Sequence, residues 1–135
     1  MVFVLDNSVV SGWLLDSQAN SYCEAIAQRL LSSRALAPPL LPLEYTNVLR
    51  TACKRQQMNA AQAHEMLAML AALPIDIDTV APVPAQVLDL ALRYDLTSYD
   101  AQYLDLALRR SLPIATQDQA LANAALVAGV GVVPA

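Results

Sequence analysis

The chain has 135 residues, 12 acids against eight lysines and arginines, and a net charge of −4. That length fits one domain with a real core, and no apolar run reaches the roughly 18 residues a spanning helix needs. The acidic balance argues against a protein that coats duplex nucleic acid, but not against a nuclease whose carboxylates hold cations, since two Mg²⁺ would neutralise it.

Hydrophobic residues make up 56% of the chain and charged ones 15%. This excess points to broad buried helix faces or to surface covered by a partner. Cys23 and Cys53 have no CxxC spacing and fall on apolar helical positions. They read as buried free thiols, and a cytoplasmic protein follows as the default.

In chain order, Val2–Leu5 is an apolar run closed by Asp6, which reads as a core strand rather than a signal peptide. Asn7-Ser8 can cap a short helix carrying Val9, Val10 and Trp13. From Asn20, apolar residues recur every three or four positions, predicting an amphipathic helix to about Ser32-Ser33. Leu36-Ala37 is a brief strand before Pro38-Pro39. Pro42 then opens a helix to about residue 55, and Asn59 caps another to about residue 73. Ile75-Asp76-Ile77-Asp78 alternates as a half-exposed strand. Val83–Tyr94 is helical, Ser98 caps the next helix, and Pro113-Ile114-Ala115 is a short strand. Gln117-Asp118 opens a last helix stopped by Gly129, and Val130–Val133 is a terminal strand.

Short strands separated by helices imply parallel pairing with right-handed crossovers. The expected fold is a single three-layer α/β/α domain over residues 1–135 with a mainly parallel sheet. The two successive helices, roughly 42–55 and 60–73, suggest a projecting helical hairpin.

In such sheets the ligand crevice lies beyond the carboxyl ends of the strands. Asp6 and Asp118 follow strands there, Asp100 stands in the first turn of its helix, and Glu44 interrupts an apolar run just after Pro42. Each acid alone could be a cap or turn residue. Together at one end of the sheet they form a set suited to Mg²⁺, a hard cation that takes oxygen ligands. One or two such ions could activate water against a phosphodiester. Ser8 and Thr116, each two residues from a cluster acid, offer hydroxyls to orient ligands or a bound water. Helical spacing turns Asp100 toward the body, whereas Asp105, Asp16, Asp76, Asp89 and Glu65 read as solvated. His64 reads as a surface residue. Tyr99 and Tyr103 flank Asp100; stacking on an RNA base is open to them, with packing the simpler reading. Arg50, Lys54 and Arg55 form a small basic patch that could meet RNA phosphates or a partner, or be a solvated helix end.

Four segments carry a family resemblance: Asp6-Asn7-Ser8; Pro42-Leu43-Glu44-Tyr45-Thr46-Asn47; Ser98-Tyr99-Asp100-Ala101 with Tyr103-Leu104 and Leu106-Ala107; and Ala115-Thr116-Gln117-Asp118. Together, from Met1 to about Val133, they resemble the PIN-domain family and within it the VapC-type toxins. The resemblance implies a Mg²⁺- or Mn²⁺-dependent endoribonuclease with one or two ions held by Asp6, Glu44, Asp100 and Asp118. It also implies a homodimer, an RNA substrate, and an antitoxin whose helix packs on the hairpin region. Some relatives carry a further acid near the last strand that is absent here. Two other functions fit the residues: a PIN-like nuclease in RNA processing outside a toxin system, and a non-catalytic interaction module whose acids bind a basic segment.

Overall fold

The computed structural model describes all of residues 1–135. Strand β1 (Phe3–Leu5) leads into helix α1 (Asn7–Leu14), a 3-10 turn at Asp16–Gln18 and α2 (Ser21–Arg29). Then come β2 (Ala35–Ala37), α3 (Leu40–Lys54), α4 (Ala60–Ala71) and β3 (Ile75–Ile77). The chain finishes with α5 (Pro84–Tyr94), α6 (Ser98–Arg110), β4 (Ile114–Ala115) and α7 (Gln119–Ala128).

The sheet is parallel throughout, in the order β3-β2-β1-β4. Successive connections step from β1 to β2 to β3, and the next returns across the sheet to β4. Right-handed crossovers therefore place α1–α4 on one face and α5–α6 on the other, giving the three layers. Contacts agree: α1 packs on α2 and α3, whereas α6 lies on β1 and β4 with α5 and α7 against it. The stepping direction reverses beside β1, so a crevice opens beyond its carboxyl end.

Phe3, Val4 and Leu5 are fully buried, as expected of a strand covered on both faces. They join a single core cluster that runs through every layer, with Leu41 from α3, Leu104 and Leu106 from α6 and Leu121 from α7. Burying each such side chain contributes on the order of 1.5–3 kcal/mol. Pro42 sits in the first turn of α3, where its missing N–H costs no helical hydrogen bond. Asn59 and Gln62 form a reciprocal capping box at the start of α4. That helix buries only Leu70, so the α3–α4 hairpin carries its second arm on the rim of the core. Gly12 is required where α1 meets α2, because a Cβ there would stand 2.2 Å from Cys23 Sγ.

Several expectations are corrected. The terminal strand contracts to one parallel bridge between Ile114 and Val132. Gly129 takes positive φ to end α7 as expected, and Gly131, also at positive φ, breaks the extended run. The caps of α1 and α6 fall one residue earlier than expected, on Asp6 and Thr97. Helix α2 stops at Arg29, short of the serines. Cys23 and Cys53 are both free, Cys23 buried and Cys53 only partly so.

The larger correction concerns Asp105, which is 5% exposed rather than solvated. Arg109, one turn along α6, holds it at 3.0 Å and reaches Asp78 at 3.1 Å. Asp78 is also buried, just past β3. One guanidinium thus serves two buried carboxylates and ties α6 to the edge strand.

Candidate active site

Asp6 leaves β1 into the crevice and caps α1, with Oδ2 accepting from the Ser8 backbone N–H. The same oxygen accepts from Ser8 Oγ at 2.6 Å and Thr116 Oγ1 at 2.7 Å. Both hydroxyl protons are committed to Asp6, because each hydroxyl oxygen is itself an acceptor. Gln117 N–H donates to Ser8 Oγ, and Asp118 N–H donates to Thr116 Oγ1. This ring joins the β1–α1 turn to the β4–α7 turn. Gln117 strengthens the join by donating from Nε2 to Ser8 O and Cys23 Sγ and by accepting from Asn20 Nδ2.

Asp118 caps α7, with Oδ1 accepting from Leu121 N–H at 2.9 Å. Glu44, in the second turn of α3, accepts at Oε1 from Tyr103 Oη at 2.6 Å. Asp100 stands in the first turn of α6, where the positive end of the helix favours an acid. Its backbone N–H is capped by Thr97 Oγ1, and the Thr97 hydroxyl also lies against its carboxylate and opposes the upward shift of its pKa. Asp6 Oδ1, Glu44 Oε2, Asp118 Oδ2 and at least one oxygen of Asp100 therefore remain without a donor.

The four acids feel one another. Burial first, then the charges of Asp118, Asp6 and Glu44, push the Asp100 carboxyl up to about 6. Burial also raises Asp6, opposed by its hydroxyl partners and helped by Asp118. Glu44 is raised by burial and by Asp6, against the pull of Tyr103. Tyr103 is driven far up by burial and by the adjacent Glu44, so its hydroxyl remains a donor at every ordinary pH.

The structure thus draws Asp6, Glu44, Asp100 and Asp118 into one electrostatic group, with Ser8 and Thr116 beneath Asp6. Four like charges repel, and no three of them stand close enough here to share one ion. Their chemistry nevertheless fits a hard divalent cation: the donors are all oxygen, several are free, and the carboxylates lack any neutralising cation among the ion pairs of the chain. Tyr99 lies at the rim, 59% exposed. Arg50, Lys54 and Arg55 lie outside the group, exposed at the far end of α3 and unpaired. His64 is exposed on α4 beside Cys53 and Arg50, across the hairpin groove. The sequence reading left Tyr103 as a packing residue and missed its hydrogen bond. The available signal was its position one turn after Asp100, on the same helix face.

A parallel sheet in this order, with acids gathered at its switch point, defines a class, and the PIN domain family model matches residues 3–126. The chain belongs to the PIN-domain family. Within it the chain is a VapC-type member: it is 34% identical over 125 residues to Ribonuclease VapC1 from two strains of Mycobacterium tuberculosis. That match covers 89% of this chain and 92% of the relative. Its fold is also similar to the crystal structure of PAE2754 from Pyrobaculum aerophilum, with a TM-score of 0.66 at 22% identity over 92% of this chain and 79% of the other.

Proposed function

We propose that this protein is a divalent-metal-dependent endoribonuclease and the toxin of a toxin–antitoxin pair, working in the cytoplasm. The observation that carries the reading is the electrostatic group of Asp6, Glu44, Asp100 and Asp118 at the switch point of the sheet, each with at least one oxygen free of donors. The relatives named as ribonucleases supply the substrate class.

In this reading the four carboxylates hold one or two Mg²⁺, or Mn²⁺ in its place. A bound ion supplies acidified water and offsets charge on the phosphodiester. The protein's own part is positioning. Ser8 and Thr116 pin Asp6, the cap bond fixes Asp118, and Asp100 projects from a helix N-terminus at the mouth. RNA approaches along α3, where Leu43, Asn47, Arg50 and Lys54 recur at helical spacing on an exposed stripe. Arg50 is six residues beyond Glu44, about 9 Å along the axis. Arg55 extends the track, and Tyr99 offers a face for a base.

Two apolar surfaces suit partners. A groove of about 610 Å³ between the end of α1 and α4, walled by Leu14, Met58, Met66 and Met69, suits an antitoxin helix. Leu88 and Leu92, one turn apart on α5 and largely exposed, suit a second copy of the chain in a homodimer. No helix is long and apolar enough to cross a membrane.

The test is cleavage of single-stranded RNA by purified protein with Mg²⁺, Mn²⁺ or EDTA, beside Asp6→Asn and Asp100→Asn. The reading requires cleavage that EDTA stops and both variants lose while remaining folded. Equal cleavage by parent and variants would sink it.

A further inference from the structure

We infer that Tyr103 is a positioning residue for Glu44, holding one carboxylate oxygen so that the other faces the metal site. The inference rests on the reading of Glu44 as a metal ligand. Each of the other acids that is held is held from its own neighbourhood in the chain or by a strand-end hydroxyl. Asp6 has Ser8 and Thr116, and Asp118 has the N–H of Leu121. Glu44 differs: it has a longer side chain with one more torsion, and its helix supplies no partner. Its sole hydrogen bond comes from α6, 59 residues away.

Tyr103 is built to give that bond. Its residue is fully buried, so the ring has one place in the core and the hydroxyl one location. The 2.6 Å separation is that of a charge-assisted bond to an ionised acceptor. A hydroxyl at Oε1 leaves Oε2 as the oxygen with no donor and therefore the more open of the two to a cation. Because Tyr103 lies one turn below Asp100, a single helix face both supplies one acid and aims a second.

The experiment is calorimetric titration of Mn²⁺ alone into the full chain, without RNA, for the parent, Tyr103→Phe, Glu44→Ala, the double variant and Asp100→Asn. Tyr103→Phe keeps the ring and removes only the donor. Its Mn²⁺ affinity is expected to fall about tenfold to a hundredfold, the usual effect of losing a ligand-orienting partner. In the Glu44→Ala background the same change is expected to have no further effect. Affinity within twofold of the parent, an equal loss in the Glu44→Ala background, or a Tyr103→Phe chain that fails to fold in EDTA would each overturn the inference. Absence of Mn²⁺ binding by the parent, or its retention in Asp100→Asn, would instead overturn the metal site itself.

Discussion

Ser8 and Thr116, 108 residues apart in the chain, bring their hydroxyls within 3.3 Å because both donate to the same oxygen of Asp6. The shared acceptor is what locks the two turns together and decides which oxygen of Asp6 stays free. Thr116→Val keeps the shape but removes one donor to a buried carboxylate and one acceptor for the Asp118 N–H. The expected cost is about 1–3 kcal/mol in urea unfolding. A midpoint unchanged within error would mean the hydroxyl bond contributes nothing.

Asp100→Asn should separate activity from stability. The substitution removes a charge that Asp118, Asp6 and Glu44 all oppose. Cleavage is expected to drop by about a hundredfold or more, while the melting temperature in EDTA at pH 7.5 stays level or rises. A variant that melts clearly below the parent in EDTA contradicts the repulsion described for the site.

The pH dependence of stability has a definite sign. Asp100 titrates at about 6 in the folded chain against an ordinary value of 3.8, and Asp6 and Glu44 are raised in the same direction. The folded state therefore holds these protons more tightly than the unfolded chain. The Asp100 contribution is fully present below about pH 4 and is lost as pH rises through 6, and those of Asp6 and Glu44 fade in the same direction as pH rises. Thermal melts in EDTA should fall between pH 4.5 and pH 7 by more in the parent than in Asp100→Asn. Saturating Mn²⁺ should lift the pH 7 melt most, by mass action on the folded state. A parent whose melt rises no less steeply toward neutral pH than that of Asp100→Asn would contradict this.

Arg109 is predicted to matter without touching the site. Replacing it with Met leaves Asp78 and Asp105 buried and without a cation, a defect of about 3–5 kcal/mol in a fully enclosed pair. Arg109 is itself 31% exposed on its side chain, so the lower end is expected. Adding Asp105→Asn to Arg109→Met should recover part of the loss. No recovery would show that packing of the arginine stem, rather than its charge, carried the effect.

The sheet and its acids were legible because the signals are local. Val2–Leu5 is an unbroken apolar run, and Asp6 interrupts it where a parallel strand must end. The spacing from Asp100 correctly turned Asp105 away from the site. What spacing cannot see is what lies on the other side, here Asp78, just past β3 and 27 residues upstream. Residues 103–107 of α6 are buried in an unbroken run. A helix packed between α5 and the sheet has no single wet face, and periodicity assumes that one exists. Asp105 followed by Arg109 was the available hint, since an acid and a base one turn apart can enter an interior together. Tyr103 was missed for a related reason: its partner Glu44 is on another helix, and only three-dimensional contact names it. The terminal strand failed at Gly131, whose backbone freedom outweighed the β-branched valines on either side of it.

The order of the strands has a further meaning for how such a chain can change. Asp6 follows the one strand flanked by β2 on one side and β4 on the other, and it is braced from the neighbouring turn. The second arm of the hairpin, α4, and α5 sit at the margins by contrast, and neither carries one of the four acids. Mutations can accumulate on those outer parts, altering which proteins such a chain could embrace, while the four acids are inherited intact.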